Sequence, residues 1–179
     1  MGKVLWHVTM SLDGFIAGPK GEMDWTFGHS GVSPEMFQEI IRTTGAMVAG
    51  RRSVNLGPDT GKKVYGGALQ GQLFVLTRQP PPESVDPTIT FFSGDVRDVI
   101  ATALESANGK NVVVTGANVA RQCIEAGLVD ELLIHLVPVL VGDGVRLFDN
   151  PGGDWVALET ISVEGPGDMA NLRYRVVKK

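Results

Sequence analysis

Three short stretches carry residue types suited to holding phosphates: Gly50-Arg51-Arg52-Ser53, Thr77-Arg78 and Thr115-Gly116-Ala117-Asn118-Val119-Ala120. The third reads as a buried strand, Val112 to Val114, passing through a glycine turn into a helix. The first N–H groups of such a helix have no partner inside it and point at solvent or at an anion. Asn118 is the expected N-cap and Gly127 the expected stop, with Val119, Ala120, Cys123, Ile124 and Leu128 on one apolar stripe. Taken singly, each stretch also has a bland reading, as a turn or a solvated arginine. All three follow strand candidates, however, and in a parallel sheet they share the carboxyl edge, where α/β proteins bind ligands.

Arg51, Arg52, Arg78 and a helix N-terminus on one edge would neutralise a ligand with several phosphate groups. Guanidinium groups rather than an acidic residue at those strand ends favour NADP over NAD, because they bind a 2′-phosphate that a carboxylate would repel. The usual dinucleotide fingerprint is missing, since Gly142-Asp143-Gly144 leads into strand-like sequence, and there is no Walker A lysine motif. His135 shares a strand face with Leu133 and Val137 by alternation, pointing either into the core or into a substrate cleft. His7 and His29 lack partners at metal-ligand spacing, and no metal site is expected.

These residues need elements to position them. Strands are expected at Val4 to Met10, Ala46 to Ala49, Leu73 to Thr77, Ile89 to Phe92, Val112 to Val114, Leu132 to Val141, Val156 to Val163 and Leu172 to Val177. A first helix starts at Ser33 with Pro34 in its first turn and sets Met36, Phe37, Ile40 and Ile41 on one face. A second, entered near Asp95, turns Val96, Val99, Ile100, Ala103, Leu104 and Ala107 inward and stops at Asn108-Gly109. Strand and helix alternate through Leu128 and then strands follow alone. That order predicts an α/β fold with a mainly parallel central sheet, flanking helices and antiparallel C-terminal strands at one edge. The proline-rich stretch Gln79 to Pro87 reads as an exposed connection.

With 179 residues, 43% of them hydrophobic and 20% charged, residues 1–179 fit one domain. A net charge of -4 and a pI near 5.3 argue against nucleic acid or an anionic membrane as partner. Cys123 is the only cysteine, which excludes an internal disulfide and fits a reducing cytoplasm. No stretch reads as a signal peptide or a bilayer span, so a soluble cytoplasmic protein is expected.

Val8-Thr9-Met10-Ser11-Leu12-Asp13-Gly14-Phe15-Ile16-Ala17 resembles the first strand and loop of the dihydrofolate-reductase-like family that includes the riboflavin-biosynthesis reductase domain. Val48 to Ser53, Val75 to Arg78, Val114 to Asn118 and Leu140 to Val145 resemble that family's later signatures in the same order, so the likeness spans nearly the whole chain. It implies an NADPH-dependent reductase of a small heterocyclic or carbonyl or imine substrate, similar to the ribosylaminopyrimidine reductase of riboflavin biosynthesis. Ile16 and Ala17 would lie near the nicotinamide, and Gly50, Arg51, Arg52 and Ser53 along the pyrophosphate and adenosine phosphate. Leu76, Thr77 and Arg78 would surround the adenine ribose, with Thr115, Gly116, Ala117, Asn118, Val119 and Ala120 under the diphosphate.

Asp13 is then the first choice for a substrate-facing group, against the plain reading of Asp-Gly as a turn pair, and Trp25 a choice for a pocket wall. The same resemblance implies a homodimer; the apolar Leu132 to Val141 strand reads either as a contributor to that interface or, equally, as a buried central strand. Two departures stand out. The family often has Gly-Gly where this chain has Thr115-Gly116, which argues against a strained or cis peptide there. Where dihydrofolate reductases carry a helix carboxylate, this chain offers Pro34 with Glu35 beside it as the candidate acid, which favours the riboflavin-type branch. A dihydrofolate reductase and a non-catalytic NADPH-binding protein are the alternatives.

Overall fold

The structure, a computed structural model, describes residues 2–54, 64–80 and 86–178. Val-rich runs that alternate between two apolar faces need cover on both sides, and parallel strands joined by helices give it. Strands β1 (Val4–Ser11), β3 (Thr44–Gly50), β4 (Gln72–Leu76), β5 (Ile89–Phe92), β6 (Asn111–Thr115) and β7 (Glu131–Val137) run parallel. Two antiparallel strands, β10 (Ala170–Val176) and β9 (Leu158–Glu164), complete the sheet in the order β5-β4-β3-β6-β1-β7-β10-β9. A separate ribbon pairs β2 (Phe15–Ala17) with β8 (Val145–Arg146). The mainly parallel sheet with an antiparallel edge is the architecture the order of elements predicts.

Alternation along the strands sorts the core into two layers. Val4, Trp6, Val48, Val112, Val114, Leu132 and Ile134 pack on the side of α2 (Val96–Ser106) and α3 (Ala117–Glu125). Leu5, Met47, Ala49, Val75, Val113 and Leu133 pack on the other, where Ile40 and Met36 of α1 (Pro34–Thr43) cover them. Burying one such side chain contributes about 1.5–3 kcal/mol. The helix starts follow their sequence signals: Ser33 accepts from Met36 N (3.1 Å) and Asp95 from Arg97 N (2.7 Å).

Two expected boundaries move. The strand predicted over Leu132 to Val141 stops at Val137, because Pro138 has no N–H to donate and Val139 N folds back onto Val137 O (2.8 Å). Of its two expected placements it takes that of a central strand, held between β1 and β10, so its apolar side chains are core. The exposed edge is β9, where Leu158, Ile161 and Val163 face outward. The helix expected to be capped by Asn118 begins at Ala117, with Gly116 at φ 84° as its N-cap residue. Asn118 Oδ1 instead accepts from Gln122 Nε2 one turn on (2.7 Å). Of the proline-rich connection, Gln79, Pro80 and Pro87 are exposed and residues 81–85 lie outside the described residues.

The C-terminus of α3 closes as anticipated at Gly127. Its N–H bonds to Ile124 O (3.0 Å), the Leu128 N–H reaches Cys123 O (2.8 Å), and Gly127 takes φ 68°. A Cβ there would meet no atom within 4 Å, so substitution exposes the backbone cost alone. Gly127→Ala is expected to lower the unfolding free energy by about 1–2 kcal/mol in urea titrations at unchanged m. An unchanged midpoint would show that the turn is not held in the left-handed region.

Candidate active site

Strand register brings the three phosphate-type stretches together. Gly50 pairs with Leu76, and Ala49 with Thr115, so the carboxyl ends of β4, β3 and β6 are flush and adjacent. A short 3₁₀ turn, Arg51–Ser53, leaves β3 with all three side chains exposed, and Arg51 Nη1 bonds to Gln79 O (2.8 Å), tying the end of β3 to that of β4. Arg78 is exposed on the same rim. At Gly116 a Cβ would run into the Ser53 hydroxyl, and at Gly50 it would approach Val119 Cγ2 to 3.3 Å. Gly116, at φ 84°, therefore needs glycine, whereas at Gly50 a side chain would make only a tight contact that Val119 could relieve by a small shift. The first turn of α3 has no side-chain cap, and the peptide bonds of the described residues are all trans.

Next to this rim lies a cleft of about 460 Å³, lined by Phe15, Ala117, Asn118, Arg121, Gly142, Gly144 and Arg146 among others. Sequence reading missed the device that shapes its wall. Phe15 pairs with Arg146 and Ala17 with Val145, while the Arg146 guanidinium lies 4.7 Å from the centre of the Phe15 ring. At Gly144 a Cβ would run into the Ala17 carbonyl. Ile16 and Ala17 are thus fixed by a two-stranded ribbon rather than a free loop.

Asp13 braces the same wall. Its Oδ1 accepts from Ser11 Oγ (2.6 Å) and Val141 N (3.0 Å), and its Oδ2 accepts from Gly142 N (2.7 Å). The Ser11 hydroxyl and the two backbone donors lower its pKa to about 2, so the carboxylate is ionised and holds the turn after β1 to the 138–144 loop. Glu35 is exposed on the first turn of α1. Trp25 is half-exposed in the 3₁₀ turn Asp24–Thr26, its indole N–H bonded to Glu22 O (3.2 Å).

His135 is buried on the α1 side of the sheet, as one of its two expected placements required, and it is not alone. Its Nε2 lies 2.6 Å from His7 Nε2 and its Nδ1 lies 2.5 Å from Asn171 Oδ1. His7 Nδ1 bonds to the Tyr65 hydroxyl, and the two rings stack with centroids 5.4 Å apart. Burial, and then the neighbouring His135, push His7 down to about 3; burial likewise lowers His135 and raises Tyr65. No local motif signals this cluster, because His7 and His135 are 128 residues apart and meet only through the β1 to β7 pairing. Asp13, Glu35 and His135 sit on three different elements, and Asp13 and His135 have separate partners.

A mainly parallel sheet with flanking helices and two antiparallel strands at one edge is a dihydrofolate-reductase-like α/β fold. The chain belongs to the RibD C-terminal domain family, whose sequence model matches residues 2–168. It is 27% identical over 157 residues to the uncharacterised protein YyaP of Bacillus subtilis (strain 168), covering 82% of this chain and 80% of that protein. A Shewanella sp. PV-4 protein named for riboflavin biosynthesis shares the fold at a TM-score of 0.76 and 21% identity, over 99% of this chain and all of that one (100%). Dihydrofolate reductase from Enterococcus faecalis, solved with NADP(H), has a TM-score of 0.59 at 14% identity, over 98% and 96% of the two chains.

The histidine pair makes stability depend on pH. Unfolded imidazoles take up protons below about pH 6.5, whereas folding holds both below their ordinary value, His7 staying unprotonated down to about pH 3. This contribution is complete above the unfolded value and is lost as pH falls toward the folded one. Between about pH 6.5 and about pH 5 the unfolding free energy should fall by up to about 1.4 kcal/mol per pH unit on account of His7, with His135 acting in the same direction. His7→Phe should flatten that slope in urea titrations; an equal slope in the variant would place the linkage elsewhere.

Proposed function

We propose that the protein is an NADPH-dependent reductase that delivers a hydride to a small heterocyclic or carbonyl or imine substrate, in the manner of the riboflavin-pathway ribosylaminopyrimidine reductases. The observation that carries this reading is the flush carboxyl edge of β4, β3 and β6, with Arg51, Arg52 and Arg78 beside the uncapped first turn of α3. These residues fit a dinucleotide. Gly116 lets the Ser53 hydroxyl sit in the space that a Cβ would fill, beside helix N–H groups suited to a diphosphate. Thr115, Ala117, Asn118, Val119 and Ala120 would hold that diphosphate with Gly116, and Gly50, Arg51, Arg52 and Ser53 would hold the adenosine phosphate. Leu76, Thr77 and Arg78 would surround the ribose.

NADPH supplies a hydride when bound. The chain's own task is to bind, to align the acceptor carbon and to limit water. Ile16 and Ala17, fixed by the β2–β8 ribbon, form the surface against which a nicotinamide would lie. Ionised Asp13 holds that surface to the 138–144 loop. With its carboxylate already accepting three hydrogen bonds, it acts in this reading as a brace rather than a proton donor. Trp25 would wall the substrate side. The exposed apolar β9 edge is the surface this reading gives to a homodimer.

Titration of NADPH into the purified protein is expected to saturate at micromolar concentrations; no binding at millimolar cofactor would sink the proposal. Replacing Arg52 or Arg78 with Ala should weaken NADPH by about 10–100-fold, the worth of one charge-assisted contact, and leave NADH almost unchanged. Equal losses for both cofactors would remove the arginines from 2′-phosphate recognition. Oxidation of NADPH in the presence of pterin, carbonyl and aminopyrimidine acceptors then separates a reductase from a binding protein.

A further inference from the structure

The direction of every hydrogen bond in the buried chain follows from one carbonyl. Asn171 Nδ2 lies 2.6 Å from Gly31 O, which can only accept, so the amide group is oriented with its Oδ1 toward His135. That oxygen also only accepts, and His135 Nδ1 must carry a hydrogen. Neutral His135 then offers a lone pair at Nε2, so His7 Nε2 carries the hydrogen between the two rings. His7 Nδ1 is consequently bare and takes the hydrogen of the Tyr65 hydroxyl. A proton added at His135 Nε2 would set two N–H groups face to face at 2.6 Å, so the chain holds one hydrogen per bond and no more.

The outer end of this chain is less enclosed than the inner one. Asn171 is 1% exposed and His135 4%, whereas His7, Tyr65 and Thr9 are half-buried, as is Phe37, whose ring meets Tyr65 edge-on with centroids 6.4 Å apart. Two helices, α2 and α3, cover the opposite face of the sheet, while α1 packs on this one. His7 and Thr9 lie along β1 on the way to Ile16 and Ala17.

We propose that Tyr65 is a substrate-specificity residue whose oxygen, its own hydrogen committed inward to His7, presents only lone pairs and so selects a heterocycle with a ring N–H edge. His7, His135 and Asn171 are positioning residues that fix this polarity. The proposal rests on the reductase reading in placing the substrate against the α1 face. It gives His135 no part as a proton donor: the proton that follows the hydride comes from water.

The test has a part that needs no cofactor. Long-range ¹H–¹⁵N correlation spectra of the full chain with labelled histidine should show His7 protonated at Nε2 alone and His135 at Nδ1 alone; reversed tautomers in either ring would overturn the proposal whatever the protein reduces. The second part compares 5,6-diaminouracil with 5,6-diamino-1,3-dimethyluracil, which lacks the ring N–H donors, at saturating NADPH. The first is expected to bind about tenfold more tightly, and Tyr65→Phe to abolish that preference while leaving the second probe unchanged, as loss of one hydrogen bond predicts. Binding of neither probe, equal binding of the two, or a preference that survives Tyr65→Phe would overturn the recognition role. Intact NADPH binding in that experiment would leave the reductase reading standing.

Discussion

Enclosure of the central strands on both faces is the constraint from which the rest of this structure follows. Val112, Val113 and Val114 are each 0% exposed, and neighbours on β3 and β1 are sealed almost as fully. A strand buried on both sides cannot be entered by a hairpin from its own neighbour without leaving one face bare, so α1, α2 and α3 cross over the faces between parallel strands. Each crossover starts at the carboxyl edge, and the tight junction there takes glycine where the backbone must come close to its surroundings. Gly116 is in that sense a product of packing before it is part of a site.

The same constraint makes the polar exceptions informative. On the α1 face the regular alternation of apolar side chains is broken at His7 and His135, where Leu5 and Leu133 set the pattern. Desolvating two imidazoles is costly unless each nitrogen is matched, and Tyr65 and Asn171 supply the matches. Asp13 follows the opposite logic, since it stays charged at the surface by collecting donors from a distant loop.

Local patterns in the sequence were enough for the alternation of strands and helices, the Ser33 and Asp95 caps, the stop at Gly127 and the strand ends at Gly50, Thr77 and Gly116, since each depends on residues within a few positions of one another. What escaped them is set by register over more than a hundred residues. The β2–β8 ribbon is too short to show a period, and His7 gains its meaning only from Leu133 and His135 across β7. Asn118 looked like a cap because its residue type favours one, but Gly116 adopts φ 84° and starts the helix two residues sooner. The apolar run to Val141 overstated β7, where one proline ended the ladder.

The position of β1 in the sheet also bears on how the chain assembles. Its two neighbours, β6 and β7, lie more than a hundred residues downstream, and Asp13 waits for Val141 and Gly142 to close the turn that it braces. During vectorial synthesis the first strand therefore emerges without its partners and keeps an apolar surface bare until most of the domain has followed. Such contacts between remote segments slow folding and extend the interval in which aggregation competes. The wall of the cleft, built from both ends of this loop-and-strand pairing, is among the last parts of the molecule to take shape on the ribosome.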